Sequence, residues 1–132
     1  MIVLFAKSEL GLSELLERSA RLDALVVDPS VAGSIEELNL AFHLAKKSIL
    51  KKRSLAKKLK YEFLLWLTGK TDIRSAMKKS APKNAKDLLI VIFSGTKEHV
   101  LKTLRANEVK KSLEKNADSL RIEEISLSRI RN

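Results

Sequence analysis

The sequence predicts an α+β protein: a small mixed sheet of about four strands packed against a helical layer, in the order β-α-β-α-α-α-β-α-β. Three observations carry that expectation. Short runs of β-branched and other apolar residues at Ile2 to Ala6, Ala24 to Val27 and Leu88 to Phe93 read as buried strands. Between about residues 34 and 80, apolar positions recur every three or four residues, which is the period of a helix. The chain has only four Gly and two Pro, so long irregular loops are not expected. At 132 residues it is expected to form one domain, 1–132, with the helical block about 34–80 inserted between strand pairs.

The elements follow in order. Ile2 to Ala6 is bounded by polar residues and reads as the first strand. Leu12, Leu15, Leu16 and Ser19 predict a helix over 9–20, with Ser8 and Ser13 both available as caps. The strand Ala24 to Val27 ends at Asp28-Pro29-Ser30, where Pro fixes φ and cannot donate to a ladder. Ser34-Ile35-Glu36-Glu37 is a capping-box sequence, with acidic residues at the positive pole of the helix it opens. Ile35, Leu38, Phe42, Ala45 and Ile49 form one stripe, widened by Leu40, Ala41 and Leu44, so this helix is expected to meet more than one neighbour. Two helices, about 34–52 and 55–67, are predicted with a break near Ser54 as N-cap. The second buries Leu55, Leu59, Phe63, Trp66 and Leu67 and is closed by Gly69. A helix over 71–79 turns Ile73, Ala76 and Met77 inward and stops before Pro82. Leu88 to Phe93 is apolar throughout and expected to be covered on both faces. Thr96 caps a helix burying Val100, Leu101 and Leu104. Residues 108–116 are expected to form a helical turn or two, and Leu120 to Leu127 alternates loosely, as an edge strand would.

Most catalytic chemistry finds no support in the residues. The chain has no cysteine, which excludes disulfides, thiolate nucleophiles and Cys-ligated zinc and fits a cytoplasmic location. His43 and His99 lie on separate predicted helices without the spacing of a metal pair. The glycines are scattered singly, so no phosphate loop is expected. Ser94-Gly95-Thr96 reads as a turn and helix cap. Adjacent pairs such as Glu36-Glu37 and Glu123-Glu124 point away from each other, and no Gly-x-Ser-x-Gly occurs. No catalytic residue, cofactor, metal or small-molecule substrate is assigned. The longest apolar run is far too short to cross a bilayer, and Ile2 to Ala6, without a basic lead-in, is not a signal peptide.

The net charge of +10 favours an anionic partner, above all nucleic acid, although a Lys-rich surface also suits a protein that works hot. From Lys46 to Lys60 there are eight basic residues and no acidic one. Helical geometry stacks Lys47 on Lys51, so part of this charge shares a face, and the repulsion invites an anion. The same run also reads as a solvated basic face. Single-stranded RNA neutralising about four phosphates there would give a log–log salt slope near −3.

The segment Ser54-Leu-Ala-Lys-Lys-Leu-Lys-Tyr-Glu-Phe-Leu-Leu-Trp-Leu-Thr-Gly69 is followed by Lys70-Thr-Asp-Ile-Arg-Ser-Ala-Met-Lys-Lys79 and the strand Asp87 to Phe93. This order resembles the PRPK-binding protein family, the kinase-binding subunit of the KEOPS complex, especially its archaeal members. In them a basic helix of the form Ala-x-x-x-x-x-Glu-hydrophobic-Leu ends in Ser/Ala-Gly. The likeness covers about 24–93 and departs at Ser80-Ala81 and at Thr71-Asp72, where archaeal relatives often have Arg-Gln. The resemblance implies a non-catalytic adaptor. Such a protein binds a small atypical kinase and grips the single-stranded 3′ CCA end of tRNA for threonylcarbamoyladenosine modification beside the anticodon. It makes Lys57, Lys58, Lys70 and Arg74 candidate phosphate contacts, with Lys52 and Arg53 in support, gathered around the helix break and the Thr68-Gly69 turn. Leu40, Leu44, Leu64 and Leu65 are candidates for the kinase-facing patch, or else core. The competing expectations are a stand-alone basic RNA-binding protein and a small transferase or hydrolase built on Ser94, Glu98 and His99.

Overall fold

The computed structural model describes residues 1–131, with side chains through Arg129. The chain divides into two compact units. The first comprises Met1–Pro29 and Ala81–Ser112; the second comprises Ser30–Ser80 and the chain from Leu113 on.

The first unit is a four-stranded sheet in the order β2-β3-β1-β4, built from β1 (Ile2–Ser8), β2 (Ala24–Val27), β3 (Leu88–Ile92) and β4 (Ala106–Val109). All three pairings are antiparallel, so the sheet is not a mixed one. Hydropathy sets which residues are buried but is blind to strand direction, which the pairing partners decide. Every residue of β3 is buried, as its unbroken apolar run requires. Leu4, Ala6, Val26, Leu88, Ile90 and Ile92 form a core with Leu15 of α1 (Leu12–Ala20) and with Val100 and Leu104 of α5 (Lys97–Thr103). Thr96 caps α5 by accepting from the His99 N–H at 3.1 Å. Neither expected serine caps α1; Gly11 holds that position without a side-chain bond. Ser8 instead donates to the Leu104 carbonyl at 2.6 Å, tying the end of β1 to the end of α5.

The fourth strand lies at Ala106–Val109, where a helical turn was expected to begin. Arg105 adopts a left-handed φ of 48° that ends α5 and sends the chain straight back along β1, pairing Ser8 with Ala106 and Phe5 with Val109.

The second unit is helical: α2 (Ile35–Leu50), α3 (Leu59–Thr68), α4 (Ile73–Ser80) and α6 (Ser119–Arg131), beside a 3₁₀ turn at Pro29–Val31. The segment read as an edge strand is thus the helix α6. Its N-terminus carries Asp118, whose Oδ1 accepts from the Arg121 N–H at 2.9 Å, an N-cap bond. Leu120 is exposed and Ile125 buried, a helical and not an alternating pattern.

Ser34 caps α2 as its sequence announces, accepting from the Glu37 N–H at 3.1 Å. The return half of the box differs: the Ser34 hydroxyl donates to Glu37 Oε2 at 2.7 Å. Gly69 closes α3 in the left-handed region, at φ 71°. Buried residues run all round α3, so it sits inside the unit. Ser54 does not cap α3, which starts four residues later behind Lys58, and Leu55 is exposed. Ile73 and Met77 of α4 are also exposed, leaving Ala76 and Ser80 as its buried face. No helix among the described residues is long and apolar enough to cross a membrane.

Candidate partner and nucleic-acid surfaces

The bend between α2 and α3 is organised by one buried acid. Lys51 caps α2, Lys52 turns the chain with a left-handed φ of 57°, and the Arg53 N–H reaches back to the Ser48 carbonyl at 2.8 Å. The next backbone amides, of Leu55 and Ala56, both donate to Glu62 Oε1, at 3.0 and 3.1 Å. The Glu62 side chain is fully buried, and its Oε2 lies 2.7 Å from Arg129 Nη2 of α6. The Arg129 guanidinium stacks 4.1 Å over the Trp66 ring, whose Nε1 donates to Ser48 Oγ at 3.2 Å. The Ala56 to Glu62 spacing therefore has a mechanical meaning: the glutamate of α3 folds the bend over its own helix start.

With that bend fixed, Lys52, Arg53, Lys57 and Lys58 are all exposed. None of them forms an ion pair with a described carboxylate. Lys57 and Lys58 stand at the N-terminus of α3, the positive pole of its dipole, where cations are disfavoured. Lys70 and Arg74 are exposed too, but lie beyond the other end of α3. A helix of ten residues is about 15 Å long. The six candidate cations thus form two groups rather than one cluster. Lys60 contributes to neither, being buried with its amine 5.0 Å over the Tyr61 ring.

At the C-terminal end of α3 two further cations, Lys79 and Arg121, are engaged. Lys79 Nζ donates to the Thr68 carbonyl at 2.8 Å, and Arg121 Nη2 to the Leu67 carbonyl at 2.9 Å. Arg121 Nε also donates to the buried Glu37 Oε1 at 2.7 Å. Burial, then the neighbouring Lys70 and Arg121, pushes the Lys79 amine below its ordinary pKa. Beside them, the Ser75 backbone N–H holds the exposed Asp72 carboxyl below the usual range. Glu62, Lys79, Arg121 and Arg129 were all missed as site residues. Glu62, a lone acid in the apolar run of α3, was the available signal; the two arginines are visible only once 119–131 is read as a helix.

Of the four candidate leucines, Leu64 and Leu65 are core residues, each 1% exposed, because α3 is apolar on every side. Leu40 and Leu44 are half-buried. A different apolar surface exists on the same helix: a groove of about 500 Å³ with Ile49, Leu50 and Leu59 as its floor and His43, Lys46 and Lys47 on its rim. Leu50 is 83% exposed there. As for enzymatic candidates, Ser94 Oγ donates to Asp23 Oδ2 at 2.8 Å, and Glu98 and His99 are exposed on the first turn of α5. No group of three or more metal-ligating side chains occurs among the described residues.

The family model described as Kinase binding protein CGI-121 matches residues 7–131. No curated protein matches the chain. The match takes in both units, including the terminal helix that supplies Arg121 and Arg129. The chain belongs to the family of kinase binding protein CGI-121.

Proposed function

We propose that this chain is a non-catalytic, cytoplasmic adaptor of the KEOPS assembly. It binds the small atypical kinase and holds the single-stranded 3′ CCA end of tRNA for threonylcarbamoyladenosine formation next to the anticodon. The family supports a kinase partner. The RNA half rests on one observation: Lys57 and Lys58 crowd the positive pole of α3 without a described carboxylate to answer them. A phosphate chain supplies the missing negative charge. An RNA end touching these residues and also Lys70 and Arg74 runs the length of α3, with Lys52 and Arg53 in support at the bend.

For the kinase, the groove floored by Ile49, Leu50 and Leu59 offers the exposed apolar surface, with Leu40 and Leu44 of the same helix as further candidate contacts. Leu50→Asp should abolish co-purification with the kinase and leave tRNA affinity intact. Replacing Lys57, Lys58, Lys70 and Arg74 by Gln should do the reverse. The log–log salt slope of tRNA binding should flatten by about 3 when four phosphate contacts are lost. Trimming the CCA end should weaken the wild type and leave that variant unaffected. Equal binding of trimmed and intact tRNA, with duplex RNA competing as well, would favour a stand-alone RNA-binding protein instead.

A further inference from the structure

A second pocket of the helical unit, about 470 Å³, opens between the C-terminal end of α2, the bend and α6. Four cationic side chains line it: Lys47, Lys51, Arg53 and Arg129. Lys47 and Lys51 are one helical turn apart, so they share a face and repel each other. Their place in the last turn of α2 suits the negative pole of that helix. The dipole of α2 does not account for Arg53, which lies past the helix, or for Arg129, which comes from α6. Glu62, which meets Arg129, is already occupied: Oε1 accepts two backbone N–H groups, and Oε2 faces Arg129 from the buried side. Lys47, Lys51 and Arg53 have no ion pair with any described carboxylate. The hydroxyls on the wall are used internally, Ser48 Oγ on the Leu44 carbonyl and Ser126 Oγ on the Ile122 carbonyl. What remains for a ligand is concentrated positive charge, carried by point-charge ammonium groups and planar guanidinium groups.

We propose that this pocket binds a phosphate group. A compact anion with more than one negative charge and several acceptor oxygens matches the three unpaired cations Lys47, Lys51 and Arg53 better than a carboxylate does, and arginine takes phosphate through paired N–H bonds. The site goes beyond the RNA end-binding residues, sharing only Arg53 with them. The phosphate can come from a free phosphate or mononucleotide, or from the backbone of an RNA strand.

Trp66, the only tryptophan of the chain, lines this pocket and reports on it directly. Inorganic phosphate, which does not absorb, is titrated into the full-length protein at constant ionic strength while Trp66 emission is followed. A saturable change is expected that chloride does not reproduce. It should need roughly fivefold more phosphate in Lys51→Gln and in Lys47→Gln, from the loss of one charge-assisted contact at a solvent-open site. Lys83→Gln, an exposed lysine of the other unit, should titrate like the wild type. Circular dichroism confirms that each variant is folded. Competition with AMP, and with a single-stranded oligoribonucleotide bearing hydroxyl ends, separates the sources, since only a backbone site is emptied by the latter. No saturable change, or an equal loss in Lys83→Gln, would overturn the proposal. Because the titration contains no tRNA and spares Lys57, Lys58, Lys70 and Arg74, its outcome is independent of the RNA end-binding reading.

Discussion

Each end of α3 has a buried glutamate met by an arginine of α6, yet the surrounding cations behave differently. At the C-terminal end, Lys79 and Arg121 donate to the carbonyls of Thr68 and Leu67, which α3 leaves unpaired. Charge there agrees with the helix dipole, and these two cations each have a structural occupation. At the N-terminal end, Glu62 satisfies two amides of the bend, while Lys57 and Lys58 add positive charge to an already positive pole. Cations that answer the fold mark stability. Cations placed against it, with no ion pair to a described carboxylate, mark a surface waiting for an anion.

The comparison breaks first at Glu62. Its carboxylate is fully buried, holds the bend through two N–H bonds and balances Arg129. Glu62→Ala leaves a mostly buried guanidinium uncompensated, and removal of one partner of such a pair costs about 3–5 kcal/mol. Urea unfolding of the variant against wild type measures it. A loss under about 1 kcal/mol would mean that the bend is held without this acid, and the basic loop would not be a fixed platform.

The lysines of the bend sharpen the contrast from the opposite side. Lys57→Gln with Lys58→Gln should weaken tRNA binding and at the same time stabilise the free protein, by about 0.5 kcal/mol, because two charges leave the positive pole of α3. Thermal unfolding without RNA checks the sign. A destabilised double variant would show that these side chains serve the fold.

What could be read from the sequence was what neighbours in the chain decide. Ala24–Val27 is bounded by its own turn signals, Ser34 caps α2 within three residues, and Gly69 supplies the left-handed φ that ends α3. The terminal helix was not legible for the opposite reason. Its inward face is defined by Arg121 meeting Glu37, 84 positions away, and Arg129 meeting Glu62, so Leu120, Ile122, Ile125 and Leu127 taken alone imitate a strand. Hydropathy also could not tell Leu50, which lines an open groove, from Leu64, in the core. The lysine run was obvious as composition. Which of its charges are answered depends on tertiary distances, and that is why the sequence alone groups Lys70 with Lys57 although α3 separates them.

The smallest effect tests the charge at the C-terminal end, through pH. The Lys79 amine is lowered from the ordinary lysine value of 10.5 by burial, then by Lys70 and Arg121, with Glu124 opposing. The unfolded chain therefore holds this proton more tightly than the folded one. Folding pays its penalty in full below the folded pKa, and the penalty is relieved as pH rises from there toward 10.5. A neutral amine still donates to the Thr68 carbonyl, so the contact survives the loss of charge. Subtracting the stability of Lys79→Met from that of the wild type cancels the other titrating groups, and the difference should climb with pH in the alkaline range. A difference that falls would mean that this lysine gains from being charged in the fold. The ammonium charge itself, and not only the hydrogen bond to the Thr68 carbonyl, would then hold the C-terminal end of α3.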